Sequence, residues 1–208
     1  MTKKISILKY GTGNLNSLIR AFKYINFEVE LVQKTDEILK SNILILPGIG
    51  ASKYVMDYLS ASERSYAISR YISSGKKIIG ICLGMQILLS KSEEFGTHKG
   101  LDIIPGEVIN INNLSKKITT PHMGWAKTNI SNPNNFKTSL LDKKEKNFFY
   151  YAHSYFCKLD QKYIYASCDY YGNELPAIIS NNNVWGTQFH PELSSTVGIN
   201  FLKRLVTI

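Results

Sequence analysis

The stretch IIGICLGMQILLSKSEE (78–94) decides how this 208-residue chain is expected to fold. An apolar run ends at Cys82, between Gly80 and Gly84, and a pattern with helical spacing follows at once. A strand that turns sharply into a helix around a nucleophile flanked by glycines is a known catalytic arrangement, here with Cys in place of Ser. The helix N-terminus would favour the reactive thiolate form of Cys82. A buried cysteine beside two packing glycines is the alternative interpretation.

Strand and helix patterns alternate before this stretch. Strands are predicted at 5–10, 28–33, 43–46 and 76–81, and helices at 14–25 and about 62–74. Apolar strands that alternate with helices indicate a parallel sheet covered by helices on both faces. In such sheets the reactive groups lie at the carboxyl ends of the strands, which is where Cys82 is expected.

The C-terminal half has closely spaced segments rich in Tyr, Phe and Ile. These strand candidates are EVINI (107–111), FFYYAHSYF (148–156), YIYASCDYY (163–171), AIISN (177–181) and VWGTQFH (184–190), before a last helix at about 196–206. They predict antiparallel strands added to the sheet. The expected fold class is therefore α/β with a mixed, mostly parallel sheet, formed by one domain over residues 1–208.

Composition narrows the class of protein. The chain is 44% hydrophobic and 20% charged, and it has no apolar run near the ~20 residues that cross a bilayer, so we expect a cytoplasmic protein. The net charge of +9 comes from lysines spread as short pairs, which favours general surface charge over nucleic-acid binding. Three scattered cysteines form no CxxC pair, so neither a disulfide framework nor a metal site is expected, and no cofactor is predicted.

A thiol nucleophile requires a base, and the base requires a group that orients it. His190 comes at the end of the strand candidate VWGTQF, at the same sheet edge as Cys82. Pro191 fixes a turn that could bring the Glu192 carboxylate back onto the imidazole. Cys82, His190 and Glu192 are therefore the candidate catalytic residues.

Attack on a carbonyl also needs donors for the oxyanion. The first candidate is the N–H of Leu83, directly after the nucleophile. The second is in LPGIGAS (46–52), where Ile49 and Gly50 can present backbone N–H groups at the same edge. A simple strand-to-loop turn is the alternative for this segment.

GICLGMQ and QFHPE together resemble the class I glutamine amidotransferases, which have a flavodoxin-like fold. KYGTGNLNSL, LPGIGAS, PHMGW (121–125) and YYAHSYF (150–156) narrow the resemblance to the HisH family, the glutaminase subunits of imidazole glycerol phosphate synthase. The similarity covers essentially the whole chain in the correct order. It implies that Cys82 attacks the carboxamide of L-glutamine, while His190 transfers the protons and Glu192 orients it. It further implies that the substrate is held by Gln86, Gly50, His153, Ser154 and Tyr155.

The resemblance also implies a partner. Ammonia released into water would be protonated and lost, and the single domain expected from these 208 residues leaves no second domain to use it. The implied partner is a HisF-like TIM-barrel cyclase, which forms a heterodimer with this subunit and makes imidazole glycerol phosphate and AICAR for histidine biosynthesis. PHMGW is predicted to be a loop, and the candidate interface is Asn14, His122, Met123, Trp125 and Tyr150. A loop folded over the core is the alternative, and no nucleic acid or membrane is expected as a partner.

One departure from the family leaves the pathway open. Leu193 stands where a lysine commonly follows the His-Pro-Glu motif. A paralogous glutaminase subunit that feeds ammonia to a surface-sugar amidotransferase therefore stays as an alternative. Two other classes, a cysteine peptidase or esterase and a non-catalytic basic binding protein, would leave PHMGW without a role.

Overall fold

A computed structural model describes residues 4–10, 15–48, 50–131, 140–142 and 146–208 of the chain. Two residues that the sequence assigns to the site, Asn14 and Ile49, lie outside these ranges. No helix in the described ranges is long and apolar enough to cross a membrane.

The N-terminal part alternates strands and helices as predicted. Its elements are β1 (Lys4–Leu8), α1 (Asn16–Tyr24), β2 (Glu28–Val32), α2 (Thr35–Lys40), β3 (Ile43–Leu46), α3 (Ser52–Ser60), α4 (Arg64–Ser73) and β4 (Lys77–Ile81). The two helices α2 and α3 were not predicted. The short α2 has only Ile38 buried, so its sequence carries almost no apolar period.

The remaining part is mostly strands. Its elements are α5 (Leu83–Gln86), β5 (Leu89–Ser92), β6 (His98–Lys99), β7 (Ile104–Asn110), β8 (His122–Ile130), β9 (Phe148–His153), β10 (Tyr155–Leu159), β11 (Ile164–Tyr170), β12 (Asn173–Asn181), β13 (Val184–Thr187) and α6 (Ser195–Thr207). The predicted terminal helix is confirmed as α6.

The main sheet has nine strands in the order β2-β1-β3-β4-β13-β12-β11-β8-β9. Its first five strands run parallel, and the last four are joined by antiparallel pairs. The α/β class and the mixed sheet with antiparallel additions are therefore confirmed. A second, four-stranded sheet, in the order β10-β7-β5-β6, was not predicted.

Helices cover both faces of the parallel strands. Side chains of α1 and α6, such as Phe22 and Phe201, pack on one face with Ile45 and Ile79. Side chains of α2, α3 and α4 pack on the other face in a second core cluster. This cluster includes Leu44 and Ile78, the strand residues directly before Ile45 and Ile79. Successive residues of a strand thus point to opposite faces, and both faces are buried under helices. These strands are therefore apolar at every position.

Three local predictions were wrong. The helix after Cys82 has only four residues, because β5 already begins at Leu89. Residues 87–89 are all buried, so their apolar side chains do not distinguish a helix from a strand. FFYYAHSYF forms two strands, because the extended conformation is interrupted by a bend at Ser154. The second of them, β10, pairs with β7 in the second sheet. PHMGW is no loop either, because its last four residues begin β8 and pair with β9.

The junction between β4 and α5 depends on close contact between backbones. A Cβ atom at Gly84 would lie 2.0 Å from the carbonyl oxygen of Leu46, and a Cβ at Gly80 would lie 2.3 Å from the carbonyl oxygen of Gly84. Both contacts are with backbone, so neither can be relieved by a side-chain rotation. The glycines around Cys82 therefore let α5 pack directly on β3 and β4.

We predict that Gly84→Ala destabilises the fold by more than about 3 kcal/mol, because the new methyl group must displace backbone of the central sheet. Gly172→Ala is the matched control. Gly172 has φ +74° and open space around it, so its substitution should cost only the left-handed strain of about 1 kcal/mol. Urea unfolding of both variants measures the difference, and equal losses would contradict the close-packing argument.

Candidate active site

Cys82 lies between the end of β4 and the first turn of α5, in a strained backbone conformation. Its φ of 49° and ψ of −105° place it in a region that L-residues rarely occupy. The Cys82 N–H donates to Thr187 O at 2.6 Å, and the Cys82 carbonyl accepts from Met85 N at 3.0 Å. These bonds to β13 and α5 hold the residue in this conformation, with its thiol at the edge of a cavity.

His190 and Glu192 follow β13 and lie beside Cys82. The His190 Nδ1 is 2.9 Å from Glu192 Oε1, which leaves Nε2 as the ring nitrogen that can interact with the Cys82 thiol. The backbone N–H of His190 donates to Tyr150 O at 2.9 Å, so β9 fixes its position. The turn through Pro191 thus brings the carboxylate back onto the imidazole, as the sequence predicted.

The charge of His190 depends on its two neighbours. Burial alone lowers the pKa of the imidazole, but its hydrogen bonds to Cys82 and Glu192, with their negative charges, outweigh burial and raise the pKa well above its ordinary value. The favoured form of His190 in this site is therefore the imidazolium.

The glycine-rich segment after β3 approaches Cys82 closely. A Cβ atom at Gly48 would lie 2.5 Å from Ile81 O and 2.7 Å from Cys82 Cβ, so only glycine fits there. The buried phenol of Tyr10 donates a hydrogen bond to Pro47 O and so anchors the start of the segment. Gly50 has φ +108° and lines the same cavity as Cys82.

This cavity has a volume of about 450 Å³, which is in the range of small-molecule sites. Its lining includes most of the residues that the sequence assigned to glutamine and the oxyanion, namely Gly50, Leu83, Gln86, His153, Ser154 and Tyr155. Leu83 is the first residue of α5, and the first N–H groups of a helix have no partner within it. Its N–H is thus available near the sulfur.

The predicted interface residues are divided between the cavity and the surface. Met123 lines the cavity and is 65% exposed, while Trp125 is 52% exposed and contacts the Tyr150 ring edge-on at 6.3 Å. His122 instead points into the protein and is 3% exposed. Because successive residues of β8 face opposite sides, Met123 and Trp125 share the outer face, and His122 belongs to the inner one.

Sequence reasoning missed two polar residues of the site. Gln188 is fully buried, and its Nε2 lies 3.6 Å from Cys82 Sγ. Gln188 comes two positions before His190. Because residues two apart in an extended segment point to the same side, this spacing could have identified it. Glu94 lines the cavity, and its Oε2 accepts from Ser52 N at 2.7 Å. No sequence signal identified Glu94, because it comes from the loop after β5.

No group of three or more His, Cys, Asp or Glu residues in the described ranges is arranged to hold a metal ion. Cys157 and Cys168 lie in the core, where burial raises the pKa of each thiol above its ordinary value, to about 11 for Cys168. Cys82 is therefore distinguished from the other two cysteines by its neighbours His190 and Gln188.

Comparisons with known proteins agree with this geometry. The chain matches the family "Glutamine amidotransferase class-I" over residues 6–206. It is 36% identical over 204 residues to the imidazole glycerol phosphate synthase subunit HisH of Bacillus subtilis, covering 96% of this chain and 94% of that one. It is 34% identical over 215 residues to the HisH subunit of Helicobacter hepaticus, covering 99% and 98%.

Solved structures share the fold at lower identity. The structure of PurLQS from Thermotoga maritima superposes with a TM-score of 0.72 at 22% identity, covering 99% of this chain and 98% of that chain. A crystal structure of a glutamine amidotransferase gives the same TM-score at 17% identity, covering 98% and 99%. Sequence, fold and the cysteine elbow lead to one conclusion: the chain belongs to the class I glutamine amidotransferase family.

Proposed function

We propose that this chain is the glutaminase subunit of an imidazole glycerol phosphate synthase in the cytoplasm. It hydrolyses L-glutamine to glutamate and ammonia, and it passes the ammonia to a HisF-like cyclase that makes imidazole glycerol phosphate and AICAR in histidine biosynthesis. The relatives that share 34–36% of its sequence carry that subunit name. The observation that carries the proposal is the Cys82–His190–Glu192 arrangement at the edge of a cavity of about 450 Å³.

The chemistry follows from the charges of the site. The Cys82 thiolate attacks the carboxamide carbon of glutamine and forms a C–S bond, while His190 gives its proton to the nitrogen. The C–N bond then breaks, ammonia leaves, and a thioester remains on Cys82. Neutral His190 next takes a proton from water, whose oxygen attacks the thioester. The C–S bond breaks, glutamate leaves, and Glu192 orients the imidazole throughout.

Glutamine binding is assigned to the lining of the cavity. Gln86 donates through Nε2 to Tyr155 O at 2.9 Å and to Gln188 Oε1 at 3.1 Å, which leaves its own carbonyl oxygen as an acceptor for the substrate. Glu94 is the one acidic residue among those that line the cavity, and its carboxylate suits the α-ammonium group of a free amino acid. Gly50 and the backbone of residues 153–155 complete the lining.

The oxyanion of each tetrahedral intermediate is assigned to backbone donors. The Leu83 N–H supplies one, and the Ile49–Gly50 segment supplies the second. Gly48 is pressed against Cys82 and Gly50 lines the same cavity, so both glycines lie near the expected position of the reacting carbonyl. We propose that docking of the cyclase adjusts residues 47–50 to complete the oxyanion hole, which would keep the isolated subunit nearly inactive.

The docking face is assigned to the outer side of β8 and β9, where Met123, Trp125 and Tyr150 lie. Two large apolar side chains on one exposed strand face are unusual unless something covers them. Because Met123 also lines the cavity, a partner on this face would sit over the exit that ammonia takes. Leu193, 45% exposed beside Glu192, borders a different hollow, whose lining includes Ser17, Arg20 and Tyr24 of α1.

The inner side of β8 joins this face to the glutamine site. His122 Nδ1 lies 3.1 Å from His153 Nε2, and the His122 ring stacks on Tyr170 with centroids 4.0 Å apart. Burial lowers the pKa of His122 to about 4, and burial with the charge of His122 lowers that of His153 to about 3. Both imidazoles are therefore neutral at physiological pH, in contrast to His190.

The first prediction tests the reaction in the assembled complex with the cyclase. Cys82→Ala should abolish ammonia release from glutamine, His190→Ala should lower it by several orders of magnitude, and Glu192→Ala should lower it less. Ammonium salt at high pH should still support the cyclase reaction of the Cys82→Ala complex. Cys157→Ala and Cys168→Ala are the matched controls and should keep glutaminase activity.

Full glutaminase activity in Cys82→Ala would refute the assignment of the nucleophile. Activation of the wild-type subunit by a sugar amidotransferase instead of the cyclase would favour the paralogue.

The second prediction tests the docking face. Trp125→Ala should weaken association with the cyclase at least tenfold and lower stimulated activity, because it removes an exposed anchor. The melting temperature of the isolated subunit should change by less than about 2 °C, since half of the side chain is already in water. Tyr66→Ala, an exposed aromatic on α4, is the control and should bind the cyclase normally. A large drop in the melting temperature of Trp125→Ala would instead assign Trp125 to the core.

The third prediction concerns pH. In the unfolded chain His122 and His153 become protonated near pH 6.5, whereas in the folded protein this happens only near pH 4 and pH 3. The free energy of unfolding therefore decreases as the pH falls from about 6.5 towards these values. Between pH 7 and pH 5 each histidine should cost about 2 kcal/mol. Urea unfolding of His122→Phe should therefore show a loss smaller by about that amount than the wild type. Equal losses in the two proteins would contradict the neutral-pair assignment.

A further inference from the structure

We propose that Gln188 is a catalytic residue, whose side-chain N–H donates a hydrogen bond to the Cys82 thiolate and stabilises it. This inference rests on the proposed function, in which Cys82 is the nucleophile. It adds a group outside the triad that touches the reacting sulfur.

Gln188 is held rigidly beside the sulfur. Its Nε2 lies 3.6 Å from Cys82 Sγ, within the range of hydrogen bonds to sulfur, and its side chain has no exposed surface. Its backbone N–H donates to Ala177 O at 2.9 Å, so the neighbouring strand β12 fixes its main chain. A buried amide N–H needs an acceptor, and for this N–H the acceptor is the nucleophile itself.

The orientation of the Gln188 amide follows from a backbone carbonyl. A carbonyl can only accept, so the Gln86 atom that faces Tyr155 O must be the Nε2 donor. The same Nε2 then faces Gln188 at 3.1 Å, and its partner there must be the oxygen, Oε1. The other end of the Gln188 amide, the NH₂ group, is therefore the end that faces Cys82.

The same carbonyl fixes the neighbouring histidines. His153 Nδ1 lies 2.8 Å from Tyr155 O and must carry the proton, so its Nε2 accepts from His122 Nδ1 at 3.1 Å. Tyr155 O thus accepts from two sides, from His153 and from Gln86. No member of this chain of hydrogen bonds can reverse without leaving two donors or two acceptors facing each other.

A fixed amide donor does what His190 cannot do. The imidazole loses and regains its proton during each turnover, whereas an amide N–H stays protonated at every step. A neutral thiol is only a weak acceptor, so the Gln188 bond gains strength when the sulfur becomes a thiolate. Gln188 would therefore stabilise the thiolate both before attack and when the sulfur leaves the thioester, whatever the charge on His190.

The test measures the alkylation of Cys82 by iodoacetamide in the full chain at pH 7, with peptide mapping to assign the modified cysteine. Gln188→Leu removes the donor and should slow alkylation about tenfold, the size expected for one hydrogen bond to a charged group. Gln188→Glu keeps an oxygen for Gln86 but places a carboxylate against the sulfur. It should slow alkylation more than Gln188→Leu does.

A role limited to orienting Gln86 predicts the opposite order, because Gln188→Glu would then restore reactivity. That order, or wild-type alkylation in both folded variants, would overturn the proposal. Thr128→Val removes a buried hydrogen bond to Tyr151 away from Cys82 and should leave the alkylation rate unchanged. If both Gln188 variants fail to fold, Gln86→Leu supplies the test, since it frees the Gln188 amide to rotate and should also slow alkylation; an unchanged rate would overturn the proposal.

Alkylation needs neither glutamine nor a partner, so it separates this inference from the proposed function. A wild type that is alkylated at Cys82 but hydrolyses no glutamine with the cyclase would refute the function and leave the Gln188 test valid.

Discussion

The strained backbone of Cys82 is the constraint on which the rest of the structure depends. A residue with φ +49° between a strand and a helix persists only if its surroundings hold it there. Here β13 holds its N–H, α5 holds its carbonyl, and glycines at 80 and 84 let three backbone segments meet without side chains between them. The parallel sheet supplies those segments. The strained residue and the packing of the central strands therefore require each other, and together they fix the position of the sulfur.

Two sets of interactions converge on that sulfur and differ in their chemistry. His190 and Glu192 form a charged set, and in the proposed reaction each proton transfer changes the charge of His190. Gln188, Gln86 and Tyr155 O form a neutral set, whose donors and acceptors are fixed by one carbonyl. The first set suits proton transfer, and the second suits constant positioning. One set changes its protonation and the other does not. Enzymes commonly divide the roles of neighbouring groups in one site in this way.

Strand β8 connects the outside of the protein with this site. Its outer face carries Met123 and Trp125, and its inner face carries His122, which donates to His153 at the cavity beside Cys82. A partner that moved β8 would therefore act on the cavity through Met123, which lines it, and through this hydrogen bond. Burial keeps the inner histidines neutral, so their protonation in acid destabilises the fold and makes the packing of β8 depend on pH.

The sequence by itself determined the α/β class, the parallel strands before Cys82, and the contact between His190 and Glu192, because apolar periodicity and a turn at Pro191 are local properties. It misplaced PHMGW as a loop and read FFYYAHSYF as one strand, because pairing between distant strands decides those assignments. It missed Glu94 and gave no role to Gln188. Both act through partners about 40 or more positions away, Ser52 and Cys82, and only the folded chain brings those groups within hydrogen-bonding distance.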